Sequence, residues 1–145
     1  MSDIESVEIP DNYDPTKDKG DFMNPVMLAY FRRQLLDWRT DLLKGSSETV
    51  AHTLQETELQ KPDLTDRASE ETDHALELRT RDRYRKLLKK IDEAMKRIED
   101  GSYGYCEETG EEIGIDRLQA RPIATLTVDA QERRELFRRQ FRDDR

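Results

Sequence analysis

Two carboxylates, Asp63 and Asp66, stand three residues apart in a charged stretch near the middle of the chain, residues 61–68. Pro62 has no N–H group, so a helix that arrives from the N-terminal side should end just before it. Asp63 or Thr65 can then cap the next helix, and a pair of carboxylates can also bind a cationic or metal-bearing partner. The stretch is therefore predicted to be the tip of a helical hairpin, with carboxylates that act as caps, as ligands, or as both.

Charge is divided sharply along the chain around this tip. Residues 54–77 carry eight acids and two bases, whereas residues 79–97 carry nine bases and three acids. Four of these bases recur at spacings of 4, 3 and 4, which places them on one face of a helix: Arg79, Arg83, Lys86 and Lys90. Such a stripe suits phosphate groups, but a charge run is also typical of the solvated face of an exposed helix. Composition alone does not decide between the two interpretations.

The single cysteine, Cys106, begins the spacing of a four-cysteine zinc finger whose other ligand positions hold no thiol. The spacing C-x2-C-x17-C-x2-C is met by Cys106, Thr109, Thr127 and Ala130. Because hydroxyl and methyl groups do not hold Zn²⁺ as thiolates do, the sequence predicts no structural zinc and no tightly bound cofactor. Cys106 could be a redox sensor, but nothing in the sequence indicates a stabilised thiolate, so a packed or partly exposed inert thiol is expected. Since no phosphate loop, Ser/His/Asp set or histidine–carboxylate cluster is present, an enzyme is not expected.

Apolar periodicity predicts the two long helices that carry these residues. After Asn24-Pro25, a typical helix start, five apolar residues follow at heptad spacing: Leu28, Phe31, Leu35, Trp38 and Leu42. The return helix should run from about Asp66 to Asp100, with six seam residues: Leu76, Tyr84, Leu87, Ile91, Ala94 and Ile98. Antiparallel pairing about the tip would bring Gly45 near Arg79 and Thr80, and would give a rod of roughly 50 Å.

The fold class that follows is mainly α: a long antiparallel two-helix coiled coil, a small globular body of degenerate zinc-finger type (Cys-x2-Thr-x17-Thr-x2-Ala), and a C-terminal helix. Residues 1–23 are acidic and lack a periodic apolar pattern, so they are expected to be largely disordered or draped on the body. Residues 24–100 would form the hairpin, residues 101–128 the body and residues 129–145 the last helix. That helix is expected to pack on the body through three apolar residues: Leu136, Phe137 and Phe141.

Composition limits the classes of function. Only 34% of the chain is hydrophobic and 40% is charged, which fits a coiled coil with a small body better than a compact globule. The net charge of −8 argues against wholesale binding to a nucleic-acid backbone. No apolar run approaches the ~20 residues that span a bilayer, and no secretory signal is recognisable. We therefore expect no membrane association and a cytoplasmic location.

Several stretches together resemble the DksA family of bacterial RNA polymerase-binding transcription regulators, and in particular its members that lack the full set of zinc-binding cysteines. The stretches are residues 28–33, 38–39, 63–68, 76–83, 103–106 and 112–122. The resemblance implies a coiled coil that enters the secondary channel of RNA polymerase, at the β′ subunit, so that its tip approaches the active site. It also implies destabilisation of promoter open complexes together with ppGpp in the stringent response, with repression of ribosomal RNA promoters and activation of others.

The resemblance also assigns residues to this function. The tip pattern of the family, Asp-x-x-Asp-x-Ala, falls on Asp63, Asp66 and Ala68. Its ppGpp contacts, at the interface with polymerase, fall on six residues: Arg79, Thr80, Arg83, Leu87, Lys90 and Arg121. The chain is thus expected to be a monomer that binds polymerase and ppGpp without binding DNA by itself. Two other classes stay open: a Gre-like cleavage factor whose tip carboxylates bring Mg²⁺ to the polymerase active site, and a passive coiled-coil adaptor.

Overall fold

Helices account for almost all of the regular structure in the computed structural model of the chain. The structure describes the backbone of residues 2–59 and 64–143 and the side chains of residues 4–45 and 71–141. Within these ranges lie four α-helices: α1 (Pro25–Leu59), α2 (Leu64–Asp100), α3 (Ile115–Ala120) and α4 (Val128–Asp143). Two short 3-10 helices, Ser2–Ser6 and Pro15–Lys17, precede them. The mainly α fold predicted from the sequence is confirmed.

The chain divides into two compact units. The base unit comprises residues 1–35 and 93–145, and the hairpin unit comprises residues 36–92. Each unit therefore contains one part of α1 and one part of α2. Within the described ranges, no helix has an apolar stretch long enough to cross a bilayer.

The start of α1 follows from the Asn24-Pro25 pair. The side-chain oxygen of Asn24 accepts a hydrogen bond from the N–H of Met27 at 3.0 Å, and its carbonyl accepts one from the N–H of Leu28 at 3.0 Å. Asn24 is therefore the N-cap. Pro25 opens the helix because its missing N–H would have had no partner there.

Residues 13–24, which precede α1, form defined local contacts. The hydroxyl of Tyr13 donates to the carboxylate of Asp18 at 2.6 Å, and Asn24 Nδ2 donates to the same carboxylate at 3.1 Å. Pro15, which lies between Tyr13 and Asp18 in the sequence, is fully buried. Hydrogen bonds, of which that from Tyr13 is the strongest, hold the pKa of Asp18 below its usual range. Acidic side chains of this segment, such as Asp18, therefore form local hydrogen bonds.

Antiparallel pairing of α1 and α2 is visible within the hairpin unit. Arg39 Nε lies 3.0 Å from Asp92 Oδ1, and a Cβ added to Gly45 would lie 3.8 Å from the ring of Tyr84. The sequence placed Gly45 beside residues 79 and 80, about one turn away from Tyr84. Helical side chains point back toward the N terminus of their helix, so the ring of Tyr84 covers the turn that precedes it. This tilt accounts for the difference.

The seam of α2 departs from the prediction at one residue. Tyr84 and Leu87 are half-buried and Ile91 is fully buried, as the heptad pattern predicts. Leu76, however, is 52% exposed, whereas the adjacent Glu77 is only 8% exposed. The assignment of Leu76 to the seam is therefore wrong, because the 4 and 3 steps that lead back from Ile91 reach Glu77 instead.

The base unit is built around Tyr103, which is 1% exposed. Its ring centroid lies 5.7 Å from that of Phe31 in α1, and its hydroxyl donates to the carbonyl of Pro122 at 2.7 Å. Burial raises the pKa of this phenol. Other buried side chains complete this core: Met27, Leu35, Ile98, Ile113, Leu118, Ile123 and Leu126.

One glycine is required because the N-terminal segment approaches the finger (residues 101–128, the body predicted from the sequence) closely. Gly104 has a φ of 92°, and a Cβ added there would lie 3.0 Å from Met23 Cγ and 3.2 Å from the ring of Phe22. The ring of Phe22 also meets that of Tyr105 edge-on, with centroids 5.5 Å apart. Only glycine combines this φ with so close a neighbour at low cost.

The C-terminal helix packs on the body through its first two turns only. The hydroxyl of Thr127 accepts the N–H of Ala130 at 3.2 Å and so caps α4, and Ala130 is fully buried. The three apolar residues expected to pack on the body are instead largely exposed: Leu136 at 54%, Phe137 at 65% and Phe141 at 57%. That prediction is wrong, because the periodicity marks an apolar face correctly but the body does not extend far enough to cover it.

Candidate functional site

The tip lies mostly outside the described residues. Asp63 falls in the connection between α1 and α2, which the described ranges do not include. Asp66 and Ala68 belong to the backbone of α2, which begins at Leu64, two residues earlier than expected. Because α2 begins at Leu64, the backbone of Asp66 lies in its first turn, where the macrodipole favours negative charge. The side chains of Asp66 and Ala68 lie outside the described part.

Five of the six residues predicted to contact ppGpp share the α2 portion of the hairpin unit. Arg79, Arg83 and Lys90 are exposed, whereas Thr80 and Leu87 are half-buried along the seam. The hydroxyl of Thr80 donates to the carbonyl of Leu76 at 3.0 Å. The three exposed cations thus lie next to two half-buried, uncharged side chains on the same helix.

The basic stripe, defined as Arg79, Arg83, Lys86 and Lys90, has simple helical geometry. At 3.6 residues per turn the four residues fall within an arc of about 60°, and they extend over about 16 Å of helix. Among the described side chains, no ion pair joins Arg79, Arg83 or Lys90 to an acid. These three cations are therefore available to an anion.

Lys86 differs from the other members of the stripe. Its ammonium lies 3.1 Å from Asp82 Oδ2, and the other oxygen of Asp82 lies 2.5 Å from Arg85 Nη2. The sequence places Lys86 in the stripe and Asp82 among the three acids of residues 79–97, but the stripe was assigned without pairing the two. The i,i+4 spacing of the two residues was the signal that could have revealed the pair.

The sixth residue, Arg121, belongs to the base unit. It is exposed and follows α3, and its backbone N–H donates to the carbonyl of Arg117 at 2.8 Å. Arg117 in turn donates from Nε to the carbonyl of Leu126 at 2.8 Å. The end of α3 is thereby fixed to the finger, which gives Arg121 a defined backbone position within the base unit.

Cys106 lies in a turn that directs several hydrogen-bond donors at its sulfur. The residue is 3% exposed, and the hydroxyl of Thr127 donates to Sγ at 3.9 Å. Burial raises the pKa of the thiol, but the hydroxyl of Thr109 and the backbone amides of Thr127, Thr109 and Glu108 outweigh it and lower the pKa to about 7. The surrounding donors therefore stabilise the thiolate form of Cys106, which the sequence did not indicate.

The four finger positions do not fit a zinc ion. Cys106 supplies one sulfur, Thr109 and Thr127 supply hydroxyls that already serve Cys106 and the cap of α4, and Ala130 supplies a buried methyl group. Tetrahedral structural zinc needs four thiolate or imidazole ligands. In the described part of the chain, no cluster of three or more His, Cys, Asp or Glu side chains could hold a metal ion.

These features define a helical-hairpin protein with a finger-type base whose set of zinc ligands is incomplete. The model of the DnaK suppressor protein DksA, N-terminal domain, matches residues 27–98, and that of the prokaryotic dksA/traR C4-type zinc finger matches residues 101–136. The chain belongs to the DksA family.

Relatives and a solved structure support this assignment. The chain is 59% identical over 133 residues to the RNA polymerase-binding transcription factor DksA of Caulobacter vibrioides, with 92% of each chain covered. It is 47% identical over 121 residues to that of Escherichia coli K12, which covers 83% of this chain and 80% of the relative. The structure of transcription factor DksA2 from Pseudomonas aeruginosa matches 86% of this chain and 95% of its own, with a TM-score of 0.77 and 37% identity. Because these relatives are transcription factors, the prediction that the chain is not an enzyme is confirmed.

Proposed function

We propose that the chain is a transcription factor that binds RNA polymerase through its secondary channel, at the β′ subunit, and destabilises promoter open complexes together with ppGpp. In this role it represses ribosomal RNA promoters and activates others during the stringent response. It acts in the cytoplasm as a monomer and does not bind DNA by itself. The observation that carries the proposal is the 59% identity, over 92% of the chain, to a relative named as an RNA polymerase-binding transcription factor.

The tip is proposed to act through Asp63, Asp66 and Ala68. The residues match the family pattern in type and spacing, and two carboxylates at the end of a hairpin can contact a basic or Mg²⁺-bearing centre. Ala68 leaves room for a close approach. Neutral variants at either carboxylate should therefore lose promoter regulation while polymerase binding is retained.

The ligand site is proposed to consist of Arg79, Thr80, Arg83, Leu87 and Lys90, with Arg121 from the base unit. Three exposed cations on one helix face, free of described acidic partners, support binding of phosphates. The half-buried Thr80 and Leu87 border these cations and can contact the less charged part of a nucleotide. The finger is proposed to fold without zinc.

Transcription from a ribosomal RNA promoter, with polymerase and with or without ppGpp, tests the proposal. The wild-type chain should shorten the lifetime of open complexes, and ppGpp should enhance this effect. Asp66→Asn should abolish the effect, and Arg83→Ala should weaken the response to ppGpp more than the effect without it. Glu93→Gln, a change at an exposed acid outside the proposed sites, serves as the matched control.

Two results would contradict the proposal. Shortening of the transcript in a backtracked elongation complex, dependent on Asp63, would identify a cleavage factor instead. Full regulation by Asp66→Glu and Asp66→Asn alike would identify a passive adaptor, because such an adaptor does not use the tip carboxylates.

A further inference from the structure

Asp82 is the single acid among the bases of residues 79–90. Its two carboxylate oxygens bind two different cations, with Oδ1 at 2.5 Å from Arg85 Nη2 and Oδ2 at 3.1 Å from Lys86 Nζ. The hydrogen bonds from Lys86 and then Arg85 hold the pKa of Asp82 below its usual range. Its charge is therefore retained at neutral pH.

The position of Asp82 affects the basic stripe in two ways. It engages Lys86, which the helix otherwise places on the same face as Arg83 and Lys90. It also lies about 60° around the helix from Arg79, so its negative charge is close to the place that a phosphate would occupy. Like charges at such distances repel, and the effect is reduced by solvent because Asp82 is partly exposed.

We propose that Asp82 sets the affinity of the basic stripe for a ligand with several phosphates, by repelling the phosphates and by keeping Lys86 away from them. The inference rests on the proposed ppGpp site and concerns the concentration of ppGpp at which that site responds. Asp82 is a positioning residue, since it acts through Lys86 and through its field and need not touch the ligand. Removal of its charge should strengthen binding, which distinguishes it from every cation in the stripe.

The test is the concentration of ppGpp that gives half of its maximal effect on open-complex lifetime, with polymerase and the full chain. For each variant the effect is normalised to that of the same variant without ppGpp. Asp82→Asn should lower this concentration about threefold, the factor expected from an exposed ion pair, and Asp82→Glu should leave it unchanged. The double variant Asp82→Asn/Lys86→Gln should lose part of the gain. The gain should also shrink as the salt concentration rises, which a purely structural role would not produce.

Arg83→Ala separates failure of the inference from failure of the proposed site. If Arg83→Ala raises the half-maximal concentration but Asp82→Asn leaves it at or above the wild-type value, the inference is wrong and the ligand site stands. If Arg83→Ala has no effect, the ligand site is wrong and the inference falls with it. A gain in Asp82→Asn that persists at high salt would also overturn the electrostatic mechanism.

Discussion

The thiol of Cys106 should make the stability of the protein depend on pH in the neutral to alkaline range. Its pKa is about 7 in the folded chain, against an ordinary value of 9.0. A group whose pKa is depressed on folding binds fewer protons in the folded than in the unfolded state at intermediate pH, so stability rises with pH between the two values. The contribution is fully present above about pH 9 and is lost as pH falls through about 7.

The size of the effect follows from the same two values. A pKa difference of two corresponds to at most about 2.7 kcal/mol. Cys106 lies between the exposed Tyr105 and Glu107, so water screens part of the interaction, and a gain of about 1 kcal/mol is expected. Burial opposes the thiolate, and the donors around Sγ overcome it. The gain therefore depends on the hydroxyl of Thr109 and on the backbone amides of the turn.

Urea unfolding of the wild type and of Cys106→Ser, measured under reducing conditions from about pH 6 to about pH 9.5, tests this reasoning. The difference in the free energy of unfolding should increase with pH, because serine has nearly the same shape but does not titrate in this range. Thr109→Val should reduce the pH dependence while Cys106 is still present. A difference that stays constant across the range would refute the stabilised thiolate, whatever the absolute stability of the variant.

Four further predictions concern the stability of the two units and the metal content of the protein. Gly45→Ala should stabilise the hairpin unit by up to about 1 kcal/mol in thermal unfolding, because α1 passes through this residue and an added Cβ meets the ring of Tyr84 at an ordinary 3.8 Å. The matched change Gly104→Ala should instead destabilise the chain by at least about 1 kcal/mol, since its φ is positive and the site is crowded; equal effects of the two changes would contradict this assignment. Tyr103→Phe should cost about 1 kcal/mol in urea unfolding because the carbonyl of Pro122 loses its donor, and an unchanged midpoint would show that the bond is not made. Purified protein should contain no stoichiometric zinc by elemental analysis, and a chelator should leave its Tm unchanged; loss of structure with chelator would show that a metal is bound.

The heptad pattern shows how far the sequence predicts this fold. It located both long helices and the buried Leu35 and Ile91, because apolar residues at regular steps of 3 and 4 line one face of a helix and must be buried together. It failed at Leu76, because the seam position was given to the nearest apolar residue. The heptad steps that lead back from Ile91 reach Glu77 instead. The phase places Glu77 in the seam, and the Arg81 guanidinium, 3.2 Å from its carboxylate, compensates the buried charge.

Other features could not be read from the sequence, for physical reasons. The periodicity of α4 reveals an apolar face, but whether Phe137 is covered depends on the extent of the body. The spacing around Cys106 reveals a finger, but the pKa of the thiol depends on the orientation of amides in a turn. The tip residue Asp63 lies outside the described part, so its role stays a prediction.

Glu77 has a consequence for how a hairpin of this kind can work. A polar residue at a seam position costs stability but restricts the register of the two helices, because fewer alternative pairings can accommodate it. A slip of one heptad would move the end of a helix by about 10 Å. Under the proposed function, the tip carboxylates must reach a defined depth in a channel, so a fixed register matters more than a strong seam. The pairing of Glu77 with Arg81, one turn away on the same helix, satisfies the carboxylate and lets α2 keep a polar seam position where a leucine was expected.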